Sequence, residues 1–224
     1  MHRRNLFRRT LLERWADWQR TRTPWAWLAG LSFFVLALSH FVFERWFLMP
    51  PCEECVYIRL AFFTIMVGAL IALIRPQLLM LRLIAYLKGC WGALYGVWHA
   101  QTLMGIHAAL RSSDPMALFG VKNCSLTPDF PWGLPLADRF PALFLPKGPC
   151  GADLPVVPAG TVLGDLQGTL IGMIQEAGGW YLIPSLRFGS MADCAMILFV
   201  AIMGWLLSAF FAECLAKTLM RRGF

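Results

Sequence analysis

The side chains best suited to chemistry are two pairs of cysteines. Cys52 and Cys55 enclose two glutamates in a Cys-x-x-Cys unit, and Cys124 and Cys150 lie further along the chain. Thiols at Cys-x-x-Cys spacing interconvert between a dithiol and a disulfide, and thiolate attack passes the oxidised state from one pair to another. The cysteines therefore indicate thiol–disulfide exchange as the candidate chemistry.

The surroundings of the Cys-x-x-Cys unit favour a reactive thiol. An apolar run follows the unit at once, which places Cys55 near the start of a helix, where backbone amides favour a thiolate. Arg59 lies one turn deeper on the same face, where it would stabilise that thiolate or hold an anionic or carbonyl oxygen. Alone, Arg59 would be read as an anchor among lipid headgroups. Glu53 and Glu54 act against the helix and Arg59, so the redox balance is left open.

Two structural alternatives exist for these cysteines. Zinc sites usually show two closely spaced pairs, whereas Cys124 and Cys150 are widely separated, so zinc is disfavoured. A disulfide within Cys-x-x-Cys closes too small a loop to stabilise much through chain entropy, which favours redox use. For Cys124 and Cys150 the sequence does not decide between a redox pair and a staple of a long loop.

The composition indicates the environment that must position these thiols. With 58% hydrophobic and 15% charged residues and a mean hydropathy of +0.58, the chain is too apolar for an ordinary soluble domain. The formal charge of +7 would suit nucleic acid only if it formed a basic face, but the basic residues gather at the two chain ends. A membrane, with its lipid, is the expected surrounding, and no nucleic-acid partner is expected.

Four stretches are long enough to span a membrane, which takes about 20 mostly apolar residues. They run approximately over residues 25–43, 55–74, 78–104 and 191–211. The third is the least apolar because it contains Arg82, Lys88 and His99, although the two basic side chains can extend towards the headgroups. The sequence thus predicts an all-α membrane protein, a four-transmembrane-helix bundle in a single integral membrane domain over residues 1–224.

The basic residues predict the orientation of these spans. Arginines crowd residues 1–24, and basic residues recur in 214–224, so both tails are predicted to be cytoplasmic. A cleaved signal peptide is disfavoured because the first apolar run is long enough to span and no small-residue cleavage site closes it. A short loop over about residues 44–54 and a long one over about 106–190 are then expected outside. Within the long loop, residues 164–177 favour a short helix.

This orientation places both cysteine pairs in an oxidising compartment. Disulfides form and persist there, so the even number of outer cysteines predicts pairing. The remaining cysteines fall in or beside spans and are most simply small buried apolar residues. His99 and His107, near the outer end of the third span, either donate a hydrogen bond to a quinone carbonyl or lie at the headgroup level.

Several motifs together resemble one family. The segment from Pro51 to Arg59 resembles the first redox motif of the DsbB family of bacterial inner-membrane disulfide oxidoreductases. Asn123-Cys124, the stretch from Phe130 to Leu136, and Gly148-Pro149-Cys150 are similar to its second redox loop. The DsbI branch in particular is indicated by further segments: Gly105-Ile106-His107, Asp114-Pro115, and Gly179-Trp180-Tyr181-Leu182.

The resemblance implies a relay of thiol–disulfide exchanges. A reduced periplasmic thioredoxin-fold partner, similar to DsbA or DsbL, would form a mixed disulfide at Cys124. Electrons would pass through a transient Cys52–Cys150 pair to Cys52 and Cys55. Cys55, nearest Arg59, would pass them to a quinone, either ubiquinone or menaquinone, without metal or flavin. The family places a histidine and a glutamine near the quinone; here His99-Ala100-Gln101 is out of register, which leaves His107 as the candidate ligand.

Two other functions compete with this interpretation. A quinone reductase of the vitamin K epoxide reductase type also has a Cys-x-x-Cys and a loop pair, but in that family the Cys-x-x-Cys comes after the loop pair. Here the order is reversed, which disfavours it. A membrane assembly factor with purely structural disulfides is the second alternative, and it predicts that all four outer cysteines stay oxidised when quinone is withdrawn.

Overall fold

The computed structural model describes residues 11–112, 116, 124–151 and 153–221. The helices follow in the order α1 (Leu11–Trp18), α2 (Thr23–Ala37), a π-helical segment (Leu38–Trp46), α3 (Glu53–Ile74), α4 (Leu79–Arg111), α5 (Leu136–Arg139), α6 (Pro141–Phe144), α7 (Asp165–Ala177) and α8 (Met191–Arg221). Within the described ranges, extended pairing is limited to one bridge between Ile183 and Phe188. The all-α prediction is confirmed.

Three of these helices are long and apolar enough to cross a membrane. They are Thr23–Trp46, Glu53–Ile74 and Met191–Ala216. Helix α4 has the length, but Arg82, Lys88, His99 and Gln101 dilute its apolar character. The three apolar spans agree with the sequence, whereas the count of four spans stays a prediction.

Helix α3 lies between α2 and α4, and α4 packs in turn on α8. Small residues let these helices approach closely: a Cβ at Gly92 of α4 would lie 2.9 Å from the carbonyl oxygen of Ala61 on α3. Phe62 of α3 stacks on Phe199 of α8 with ring centroids 4.3 Å apart in the core. This packing fixes α3, and with it the Cys-x-x-Cys unit at its start.

A buried ion pair joins α4 to α8 at the end of the bundle opposite the cysteines. Arg82 is 2% exposed and forms a salt bridge with Glu213. The same guanidinium donates to the carbonyl of Pro76, and Tyr86 donates to Gln19 beside it. Arg82 is therefore buried and paired with Glu213 inside the bundle rather than extended on its surface.

The long segment between α4 and α8 is folded where it is described. It contains 3₁₀ turns at Pro131–Gly133 and Pro184–Leu186 besides α5, α6 and α7. The short helix predicted for residues 164–177 is present as α7, which begins after Gly164 and ends at Gly178 in the left-handed conformation (φ 75°). The segment Gly105-Ile106-His107 lies within α4, while Asn123 and Asp114-Pro115 fall outside the described residues.

Candidate functional site

Cys52 caps the N-terminus of α3. Its backbone is extended and its sulfur accepts a hydrogen bond from the backbone N–H of Cys55 at 3.2 Å. Cys52 is only 4% exposed, whereas Cys55 is half-buried, and both are free thiols. The interaction with the Cys55 side chain and burial raise the pKa of Cys52 well above its usual range, although the backbone N–H of Cys55 acts to lower it. The helix start therefore positions the two sulfurs together, with Cys52 as the protonated partner.

Cys124 and Cys150 form a disulfide, with Cα atoms 5.8 Å apart. Cys150 and Cys55 both pack against the small buried cluster of Cys52, Leu103 and Ala192. The sequence left open whether the second pair was a distant staple. Its position beside the Cys-x-x-Cys unit makes it a neighbour in the same site.

Backbone contacts hold the Cys150 segment against the Cys52 segment. The N–H groups of Lys147 and Gly148 donate to the carbonyl of Pro51 at 2.8 and 3.2 Å. Gly148 approaches so closely that a Cβ there would lie 2.9 Å from the ring of Pro50, which explains a glycine at this position. The Gly-Pro-Cys motif thus lies directly over the Pro-Pro-Cys motif.

Glu53 and Tyr57 bind the segment that follows Cys124. The Glu53 carboxylate accepts from the N–H of Ser125 at 2.6 Å and from the hydroxyl of Tyr57 at 2.9 Å. That hydroxyl accepts in turn from the N–H of Asp129 at 2.9 Å. Phe130 packs on Tyr57 in a second apolar cluster. We call Glu53 and Tyr57 the loop clamp.

Glu54 is fully buried and turns towards α4. Its carboxylate lies 2.5 Å from Nδ1 of His99, whose ring packs against Tyr57 and Tyr95. His99 is therefore engaged by a carboxylate on α3. The two glutamates of the Cys-x-x-Cys unit each have partners of their own in the structure, so they do not act on the thiols as bare charges.

Arg59 is buried beneath Cys55 rather than extended to headgroups. It is 5% exposed, and it donates to Glu44 at 2.9 Å and to the carbonyls of Leu143 and Ser39, both at 3.2 Å. Ser39 and Glu44 both belong to the π-helical segment. Arg59 thus links α3 to the π-helical segment and to α6, which lies before Cys150.

Glu44 is the counter-ion of this site. Its other oxygen accepts from Nζ of Lys147 at 2.6 Å, and His40 lies 3.1 Å from the oxygen that Arg59 contacts. Lys147 lies three residues before Cys150, so the carboxylate ties the second cysteine pair to the arginine below the first. Sequence reasoning missed Glu44; its signal was an acidic residue directly after an apolar run.

A cavity of about 350 Å³ opens between α2, α3 and α8. Cys55 and Arg59 contribute polar atoms to walls that are otherwise mostly apolar, including Leu36, Phe62, Leu103, Met191 and Leu198. Asp153 and Trp180, from the segment after Cys150, also line it. The cavity places a thiol and a guanidinium against one apolar space.

His107 lies behind this cavity and is not among the residues that line it. It is 6% exposed, and its Nε2 lies 3.8 Å from Oδ2 of Asp153. Both residues line a second cavity of about 140 Å³. The contact predicted between His107 and a quinone stays a prediction. Asp153, which sequence reasoning missed, lines both cavities, as does Trp180.

A helical membrane protein in which a disulfide packs against a dithiol at a helix start is a membrane-bound thiol–disulfide oxidoreductase. The chain belongs to the DsbB family, since the family model for "Disulfide bond formation protein DsbB" matches residues 21–209. Its three apolar helices accordingly make it an integral inner-membrane protein.

Relatives with assigned names agree with the DsbI branch. The protein-disulfide oxidoreductase DsbI of Salmonella typhimurium is 40% identical over 182 residues, which is 81% of each chain. That of Escherichia coli is 40% identical over 182 residues, covering 81% of this chain and 82% of the relative. The predicted resemblance to the DsbB family and its DsbI branch is confirmed.

Proposed function

We propose that this protein reoxidises a periplasmic thioredoxin-fold dithiol partner and passes the electrons through its two cysteine pairs to a membrane quinone. The observation that carries the proposal is the packing of Cys150 and Cys55 on the cluster around Cys52, directly beside the cavity that holds Arg59. One end of this arrangement faces the second loop, and the other faces an apolar space between helices.

The half-buried Cys124 is the point of entry for the partner. Attack by a partner thiolate on Cys124 releases Cys150 as a thiolate and forms a mixed disulfide. The partner's second thiol then resolves that mixed disulfide and leaves both loop cysteines reduced. The partner loses two electrons and the Cys124–Cys150 pair gains them.

The second exchange needs only local movement, because Cys150 already packs against the Cys52 cluster. Attack by Cys150 on Cys52 of an oxidised Cys52–Cys55 pair would release Cys55, and Cys124 would then close the loop disulfide again. The outcome is a Cys124–Cys150 disulfide beside a reduced Cys52–Cys55 pair, as in the structure.

The cavity suits a quinone headgroup. Its walls are mostly apolar, as a membrane-soluble ring and tail require, and Arg59 is a donor for a carbonyl oxygen. Cys55 lines the same space, so its sulfur is available to the acceptor. A quinone supplies the two-electron oxidant that regenerates the Cys52–Cys55 disulfide. The role of Arg59 here is to orient the acceptor, and Glu44 holds the guanidinium in place.

The test mixes the purified protein with a short-tailed ubiquinone, or menaquinone, and a chemically reduced DsbA-like partner. Partner thiols are followed by alkylation and the quinone by absorbance. We expect partner oxidation and quinol formation in equal amounts. Cys55→Ser abolishes quinol formation, whereas Cys214→Ser, at the exposed far end of α8, behaves as wild type.

Two results would contradict the proposal. One is a wild-type protein that leaves the partner reduced. The other is a Cys55→Ser protein that still reduces quinone at the wild-type rate. The alternative of purely structural disulfides makes a separate prediction: all four outer cysteines would stay oxidised after quinone is withdrawn and reduced partner is added.

A further inference from the structure

Asp153 connects the two cavities of the site. Its side chain is 12% exposed and lines both the apolar cavity beside Cys55 and the smaller cavity beside His107. The smaller cavity has mostly polar or backbone-rich walls, contributed by Arg111, Gly151, Gly179, Tyr181 and Ser190 among others. A carboxylate between a polar cavity and an apolar one is placed to carry a proton from one to the other.

The facing atoms of Asp153 and His107 have unused hydrogen-bonding capacity. Oδ2 of Asp153 and Nε2 of His107 are buried, lie 3.8 Å apart and have no hydrogen-bond partner among the residues that the structure describes. Direct hydrogen bonds of this type span about 2.7–3.2 Å, so the gap is closed by a small shift or by a bridging water. Buried polar atoms without hydrogen bonds destabilise the fold, so their presence calls for an explanation such as a catalytic role.

Charged groups face Asp153 from each element packed around it. Helix α4 contributes His107 and Arg111, which lower its pKa, and α8 contributes Asp193, which raises it. The backbone N–H of Met191 also lowers the pKa of Asp153. Burial is the largest effect, so the pKa of Asp153 is raised from its usual range.

The fourth neighbour is a reacting thiol. Asp153 lines the same cavity as Cys55 and follows by three residues Cys150, which packs against the Cys52 cluster, and its charge raises the pKa of Cys52. Cys52 is 4% exposed, so bulk water has little access to its proton. The thiolate is the form that attacks sulfur, which means that a buried base must take the proton when Cys52 reacts.

We propose that Asp153 is the general base that accepts the Cys52 proton as the Cys52–Cys55 disulfide forms, and that His107 positions it. This inference rests on the proposed function. The overall step is two thiols plus quinone giving a disulfide plus quinol: two S–H bonds break, one S–S bond and two O–H bonds form, and two electrons move from sulfur to the quinone. Asp153 takes one of the two protons and returns it to the acceptor in the cavity that it lines.

A first test needs no quinone. The thiolate absorbance of the reduced protein is titrated in wild type and Asp153→Asn. Loss of the carboxylate charge lowers the pKa of Cys52, because the repulsion between two anions is removed. The matched control is Glu176→Gln, an exposed carboxylate on α7, which leaves the titration unchanged.

The second test measures a single turnover from the chemically reduced protein to a short-tailed ubiquinone across a range of pH. Wild type slows as pH falls through the pKa of Asp153, because only the carboxylate accepts a proton. We call this fall in rate at low pH the acid limb. Asp153→Asn is slower by roughly 10²–10⁴-fold, the usual contribution of a general base, and its rate no longer shows the acid limb. Its thiol is more acidic and yet reacts more slowly, a combination that a merely looser structure does not produce.

Neighbouring charges must move the acid limb in opposite directions. Asp193→Asn removes a repulsive charge, so the loss of rate at low pH should begin at a lower pH. The maximal rate should stay near normal, because the side-chain oxygen of asparagine still accepts the hydrogen bond from the N–H of Ser190. His107→Gln removes an attractive charge and shifts the acid limb to higher pH. An unchanged acid limb in Asp153→Asn, or equal limbs in the two neighbour variants, overturns the role of Asp153. A wild-type protein that reduces no quinone refutes instead the proposed function.

Discussion

The Tyr57 hydroxyl joins α3 to the loop after Cys124, and its removal isolates the contribution of the loop clamp. In Tyr57→Phe the buried ring remains, but Glu53 loses one donor and the N–H of Asp129 loses its acceptor. A buried hydrogen bond to a charged group contributes about 1.5–3 kcal/mol. Asp129 is exposed and water can replace its partner, so we expect a net loss of about 1–2 kcal/mol.

This loss corresponds to an increase of about 5–30-fold in the equilibrium constant for local opening of residues 124–130. Amide hydrogen exchange of this segment, measured by mass spectrometry in detergent, reports that constant. The remaining bond from Ser125 to Glu53 keeps the loop partly docked. Transfer from the loop pair to the Cys-x-x-Cys pair should slow by no more than the same factor, while the mixed disulfide with the partner forms normally.

Tyr95→Phe is the matched control, because it also removes one tyrosine hydroxyl and keeps the ring, through which Tyr95 packs on Tyr57, His99 and the apolar cluster of Phe130. Its exchange in residues 124–130 should match that of wild type. Equal exchange in Tyr57→Phe and wild type would refute the reasoning, since it would mean that the clamp contributes nothing to loop docking.

Three further predictions follow from buried contacts. Arg59→Met should raise the KM for quinone by roughly 10–100-fold, from the loss of a charged hydrogen bond of about 1.5–3 kcal/mol, while the mixed disulfide at Cys124 still forms; unchanged quinone kinetics would remove Arg59 from the site. Ala195→Phe fills the apolar cavity and should also raise that KM, whereas Ala201→Phe, exposed on α8, should not. Arg82→Met should destabilise the protein by about 3–5 kcal/mol in detergent unfolding by leaving a buried carboxylate unpaired, and adding Glu213→Gln should restore much of the loss.

The sequence predicted those parts of the site that depend on residues close together in the chain. The Cys-x-x-Cys spacing, the helix that follows it and the place of Arg59 one turn deeper are all properties of about ten consecutive residues, and the structure has them as expected. The apolar spans follow from average composition over a window in the same way. The short helix expected over residues 164–177 is likewise a local segment, and it is present as α7.

The partners of these residues were beyond such patterns. Arg59 was read as a ligand for a thiolate or an oxygen, yet its contacts include Glu44 on the preceding helix and a carbonyl 84 residues away. The sequence allowed Arg82 to extend towards the headgroups, but in the structure it is buried and pairs with Glu213, 131 residues further along. No motif in the sequence around Asp153 marks it as a site residue, because its neighbours His107 and Asp193 come from helices far away in the chain.

The sequence by itself determined the chemistry of this protein: two cysteine pairs, a membrane to hold them, and a family whose motifs they match. These are one-dimensional signals, carried by residue type and spacing. Only the tertiary structure decided that Cys150 packs beside Cys52, that Glu53 holds the loop, and that Asp153 lies between a polar cavity and an apolar one. Such contacts depend on the rotation and packing of helices far apart in the chain, where many weak interactions act together and no short motif records the result.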